Sequence, residues 1–67
     1  MKLHQLLRLI HSGMNIIIYN LKGIPIVSVR DKESISTDLY DYDVIEINVG
    51  LKDIKNKESA FFITITI

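Results

Sequence analysis

The sequence predicts a small α+β domain: an N-terminal amphipathic helix packed on a four-stranded antiparallel sheet, in the order αββββ. Three observations predict it. Leu3, Leu6, Leu7 and Ile10 recur at i, i+3, i+4 and i+7, a spacing that gathers four side chains on one helical face. Residues 15–20 and 24–30 are rich in β-branched and aromatic side chains around a glycine turn, the pattern of a β-hairpin. Residues 44–49 and 60–67 alternate apolar with polar, as half-buried strands do.

The helix is expected over residues 2–12. Lys2, Gln5 and Arg8 lie off the apolar stripe, Leu9 widens it on one flank, and Gly13 stands where a left-handed residue would end it. Residues 15–20 form the first strand. The unbroken run Ile16, Ile17, Ile18 implies burial on both faces. Asn20 to Gly23 is the turn, with Gly23 supplying a positive φ. Pro25 has no N–H to give a ladder, which places it at a strand start or on an edge. Residues 31–43 are the least regular part, with one helical turn at 38–41 capped by Thr37 or Asp38. In the third strand Ile45, Ile47 and Val49 face inward. Residues 50–59 make a polar loop turning at Asn56. In the last strand Phe61, Ile63, Ile65 and Ile67 face inward, Thr64 and Thr66 outward. The expected buried set is Leu3, Leu6, Leu7, Ile10, Ile45, Ile47, Phe61, Ile63 and Ile65.

Sixty-seven residues suffice for one domain, residues 1–67. A chain this short buries only about 60% of its unfolded surface, and one such core rarely yields more than about 3–5 kcal/mol. Without cysteine, neither a disulfide nor a thiolate metal site adds to that. Thirteen isoleucines within a 48% hydrophobic composition must supply the stability. No continuous apolar h-region opens the chain, and no run approaches the roughly 20 residues of a membrane span. The expectation is a cytoplasmic protein of the host cell, with no membrane association.

The net charge is zero but unevenly spread. Residues 1–30 carry Lys2, Arg8, Lys22 and Arg30 and no acid. Residues 31–46 carry Asp31, Glu33, Asp38, Asp41, Asp43 and Glu46 against Lys32 alone. Such asymmetry steers a partner or draws the chain onto itself.

Signatures of catalysis are missing. The sequence has no glycine-rich phosphate loop, no G-x-S-x-G and no H-E-x-x-H. His4 and His11 stand seven apart, about 10.5 Å along a helix axis, too far to share one ion as histidines at i and i+4 do. With Arg8 they form a solvent-facing basic flank, and a contact surface for an acidic partner is the functional alternative. The acidic stretch lacks the central glycine and terminal glutamate of a calcium loop. No cofactor, metal or catalytic residue is expected. What stands out is tyrosine interleaved with carboxylate: Asp38, Tyr40, Asp41, Tyr42, Asp43 and Glu46. These are the candidate partner-binding residues, suited to a basic groove that otherwise receives nucleic acid. Direct nucleic-acid binding is the weaker alternative, because it calls for a basic excess.

Met1-Lys2-Leu3-x-x-Leu6-Leu7-x-x-Ile10, then Ile16-x-Ile18-Tyr19-x-x-x-Gly23, Leu39-x-Asp41-x-x-Val44 and the terminal run 63–67 cover nearly the whole chain. This pattern resembles small proteins of unassigned function from Gram-positive phages and prophages. The polar insertion at 51–58 is longer than in that pattern, and every shared motif serves packing or turning. The resemblance implies a phage accessory protein and transfers no catalytic residue.

Two functions compete on this reading. One is a non-enzymatic inhibitor of a host defence nuclease, anti-CRISPR-like, that occupies a basic surface of a larger host or phage protein. The other is a nucleic-acid-binding or DNA-processing accessory protein using the basic helix flank and the 52–57 lysines. A self-associating structural module is the third option. A homodimer is expected: residues 61–67 have high β-propensity and neither charge nor proline, an edge that needs cover. Phe62 would anchor the contact; the competing account is a central last strand in a monomer, which needs no partner.

Overall fold

The computed structural model describes residues 1–53 and 59–67. The chain forms a helix α1 (Leu3–Leu7), strands β1 (Asn15–Tyr19) and β2 (Pro25–Val29), 3₁₀ turns at Lys32–Ser34 and Thr37–Leu39, and strands β3 (Glu46–Asp53) and β4 (Ser59–Thr66). The four strands make one sheet in the order β2-β1-β4-β3. β1 pairs antiparallel with β2, as does β3 with β4, but β1 and β4 run parallel. The sheet is therefore mixed, which corrects the purely antiparallel expectation. Alternation fixes which residues share a face, not the direction in which a strand enters. That direction is set by the long connection between β2 and β3, which is of the length that returns a chain to the same end of a sheet.

The helix is also shorter than its periodicity predicts. Past Leu7 the backbone tightens to i→i+3 bonds, Leu9 N to Leu6 O at 2.9 Å and Ile10 N to Leu7 O at 3.3 Å. The Lys32 ammonium donates to the Leu7 carbonyl at 2.9 Å, a cation at the C-terminal end of the helix. Gly13 does adopt positive φ, +84°, but in the turn into β1 rather than as the helix cap. Five residues do not hold a helix alone in water, so α1 exists because it is docked.

Its docking makes the core. Leu3, Leu6, Leu7 and Ile10 pack on Ile16, Ile18, Ile65 and Ile67, with Ile35 from the β2–β3 connection joining the same cluster. Ile17 points to the opposite face, between Ser28 and Thr64 in register, and is buried as well. The three consecutive isoleucines are thus buried on both sides of an inner strand. Pro25 begins the edge strand β2, as its missing N–H requires. The hairpin turn is held by Asn20, whose Oδ1 accepts from the amides of Lys22 (2.9 Å) and Ile24 (3.0 Å). Gly23 has φ +78°.

Ile45, Ile47 and Phe61, expected inside, are exposed at 60%, 45% and 64%, and Val49 at 68%; Ile63 is half-buried. Width explains it. Four strands span roughly 14 Å between the outer pair, whereas a helix with its side chains is about 10–12 Å across. α1 covers β1 and its neighbours and leaves β3 outside. Phe61 lies one position beyond Phe62, the first β4 residue that β1 pairs with, so it overhangs the end of β1. The polar loop expected from residue 50 begins later, because β3 continues to Asp53; the turn at Asn56 lies outside the described residues.

Candidate functional site

The irregular segment 31–43 is a cradle for the helix. A helix leaves its first amides without intrahelical partners, and here tertiary groups take them. The Leu3 amide donates to the Tyr42 carbonyl at 2.9 Å and the His4 amide to the Tyr40 carbonyl at 3.1 Å. The Gln5 side-chain oxygen accepts from the Lys2 amide at 2.8 Å. Lys32 then holds the other end of α1. The same segment thus grips both ends of the helix. Nothing in the apolar periodicity announces this, because the grip on the N-terminus uses backbone carbonyls that any residue carries.

The segment keeps its shape through local side-chain acceptors. Asp31 Oδ1 accepts from the Glu33 amide and Ser36 Oγ from the Asp38 amide, each opening a 3₁₀ turn. The turn expected over 38–41 therefore falls one residue earlier, and its cap is Ser36 rather than Thr37 or Asp38.

These turns set the direction of the candidate partner-binding residues. Asp38, Asp41, Tyr42 and Asp43 are exposed. Tyr40 is half-buried and packs against the core cluster, so its ring supports the segment rather than standing out from it. Asp43 Oδ1 meets Lys2 Nζ at 3.1 Å, and the two residues form an isolated β-bridge. The acidic stretch does draw in the basic N-terminus, but through this one ion pair among the described residues. Glu46 stands apart. It pairs with Thr66 in register, on the face of the sheet opposite the helix.

Between α1 and the segment lies an open cleft of about 530 Å³, with His4, Arg8, Lys32, Glu33, Tyr40 and Asp41 on its walls. Two fixed cations face two carboxylates there. The cleft has no net sign to concentrate phosphate. His11 is exposed outside it. Among the described residues no three His, Asp or Glu side chains converge as a metal site would require, and no helix is long and apolar enough to cross a membrane.

No family model, curated protein or solved structure matches the chain.

Proposed function

We propose that this protein acts without catalysis, by placing the acidic, tyrosine-bearing ridge of residues 38–43 on a basic surface of a larger protein. One observation carries the reading. Asp38, Asp41 and Tyr42 are all exposed on a segment whose backbone and side chains hold both ends of the helix, and neither carboxylate has an ion-pair partner among the described residues. A rigid ridge loses little conformational entropy on docking, and its carboxylates speed encounter with a cationic groove. The groove that fits is one built for a polyanion, such as the nucleic-acid channel of a host defence nuclease. The resemblance to phage accessory proteins supplies that setting, and an anti-CRISPR-like inhibitor is the form the function takes. The balanced cleft supports this reading over nucleic-acid binding through the helix flank.

The test uses Asp38→Lys and Asp41→Lys together. Both positions are exposed and neither side chain is used within the fold, so the circular dichroism spectrum stays as in the parent chain. Capture of a basic partner from infected-host lysate is lost. Retained capture by the double variant, or retention of the parent chain on heparin at physiological salt, overturns the reading.

A further inference from the structure

The sheet has two edges, and only β2 carries a proline or a register break, while β3 carries charge at Glu46, Lys52 and Asp53. β2 starts with Pro25, and its register with β1 is broken by an irregularity at Ile18 and Tyr19, both devices that blunt an edge. β3 runs in unbroken register with β4 from Glu46 to Asp53, has no proline, and no described strand lies on its other side. Its outward backbone groups follow from the ladder. The Ile67 amide donates to the Tyr19 carbonyl at 3.0 Å. Successive residues turn N–H and C=O to opposite sides of a strand, so odd-numbered β4 residues serve β1 and even-numbered ones serve β3. The Ile45 amide on the Thr66 carbonyl at 2.8 Å agrees. Glu46, Asn48 and Gly50 return those bonds, which leaves the N–H and C=O of Ile47 and Val49 facing out.

We infer that β3 pairs antiparallel with β3 of a second copy, about a two-fold axis at Val49, to give one continuous eight-stranded sheet. The sequence of the strand is self-complementary about that point. Val49 falls opposite Val49, Ile47 opposite Leu51, Asn48 opposite Gly50, and Glu46 opposite Lys52, while Asp53 falls opposite Ile45 just before the strand. The charged residues at 46 and 52 thus meet an opposite charge, twice by symmetry. The neighbouring register, centred on Asn48, sets Glu46 against Gly50 and leaves both charges without a counterpart. In the inferred register residues 47, 49 and 51 exchange about six backbone hydrogen bonds across the axis. The two-fold axis is perpendicular to the sheet, so both helices lie on one face, and the exposed Ile47 and Val49 of each copy adjoin those of the other. With zero net charge, the chain has no overall repulsion to overcome.

The contact expected from sequence is corrected, and the last strand is central, as in the competing monomer account. β4 is an inner strand, so neither its backbone nor Phe62 supplies the edge; β3 does.

The experiment is sedimentation equilibrium of the full chain across micromolar concentrations, with folding checked by circular dichroism. The parent chain should weigh two copies at the upper end. Val49→Pro removes an outward N–H and should give a folded single-copy species. Glu46→Lys and Lys52→Glu should each raise the dimer dissociation constant about tenfold, since two cross-strand pairs turn from attractive to repulsive. Combining the two restores opposite charges and should restore the dimer. A one-copy mass for the parent chain at every concentration overturns the inference, the edge then being left for a strand of another protein. So does a dimer that survives Val49→Pro, or a charge swap that fails to rescue; if Val49→Pro does not fold, the swap decides. Asp38 and Asp41 lie outside β3, so dimer formation and partner capture fail separately.

Discussion

Leu3→Ala is the sharpest probe of the idea that a five-residue helix carries the core. Leu3 is fully buried, one of four large side chains with essentially no exposed surface, and its amide is fixed to the Tyr42 carbonyl. The backbone there cannot slide inward to fill a void without breaking that bond. The substitution should therefore cost near the upper part of the roughly 2–5 kcal/mol range for Leu-to-Ala changes in cores. A domain of this size has about 3–5 kcal/mol in total, so the variant should be at least half unfolded in water. Leu9→Ala is the matched control. Leu9 extends the apolar stripe in the sequence but is 72% exposed, and exposed positions usually change stability by no more than about 0.5 kcal/mol. Urea titrations followed by circular dichroism at submicromolar protein, to keep self-association out, read both variants. If Leu3→Ala melts with the parent chain, or Leu9→Ala costs as much as Leu3→Ala, the docked-helix account fails.

Two smaller effects follow from the same contacts. Asn20→Ala removes an acceptor shared by two turn amides and should lower stability by about 1–2 kcal/mol, read as a shifted urea midpoint with unchanged slope. Lys2→Ala breaks an exposed ion pair with Asp43; it should cost less than about 1 kcal/mol, and the cost should shrink as salt is raised in the same titration.

Much of this fold is legible in the chain. The burial of β1 on both faces, the inward positions of Ile63, Ile65 and Ile67 in β4, and the Asn20–Gly23 turn follow from local rules, and Pro25 satisfies both places those rules allow it, a strand start and an edge. The burial of Leu3, Leu6, Leu7 and Ile10 follows too, although the periodicity overstates the helix length, because Ile10 reaches the core from a tightened turn as well as from a helix. The parallel pairing of β1 with β4 is not local, and no alternation pattern encodes it. The exposure of Ile45 and Ile47 is invisible for a related reason. The pattern shows that they share a face with Ile63 and Ile65 but not whether the helix is wide enough to reach them. As for the candidate site, residue types pick out the acidic ridge. They do not show that Tyr40 turns inward, that Glu46 leaves by the other face, or that two tyrosine carbonyls hold the helix.

The two mismatches, an uncovered strand and a helix too narrow to cover it, have one cause and point the same way. Single exposed aliphatic residues need no explanation on a protein surface. A pair at positions 47 and 49, preceded by exposed Ile45 and with no described strand on the outer side of β3, is a different matter, because contiguous apolar surface at an open edge exposes a monomer to unspecific pairing. Selection against aggregation alone would put lysine or glutamate at 47 or 49. Instead the charges of the strand, Glu46, Lys52 and Asp53, lie toward its two ends, with Glu46 and Lys52 at positions symmetric about Val49. Pairing about Val49 sets Glu46 against Lys52, which the register centred on Asn48 does not, so the placement favours one register of self-pairing over its neighbour.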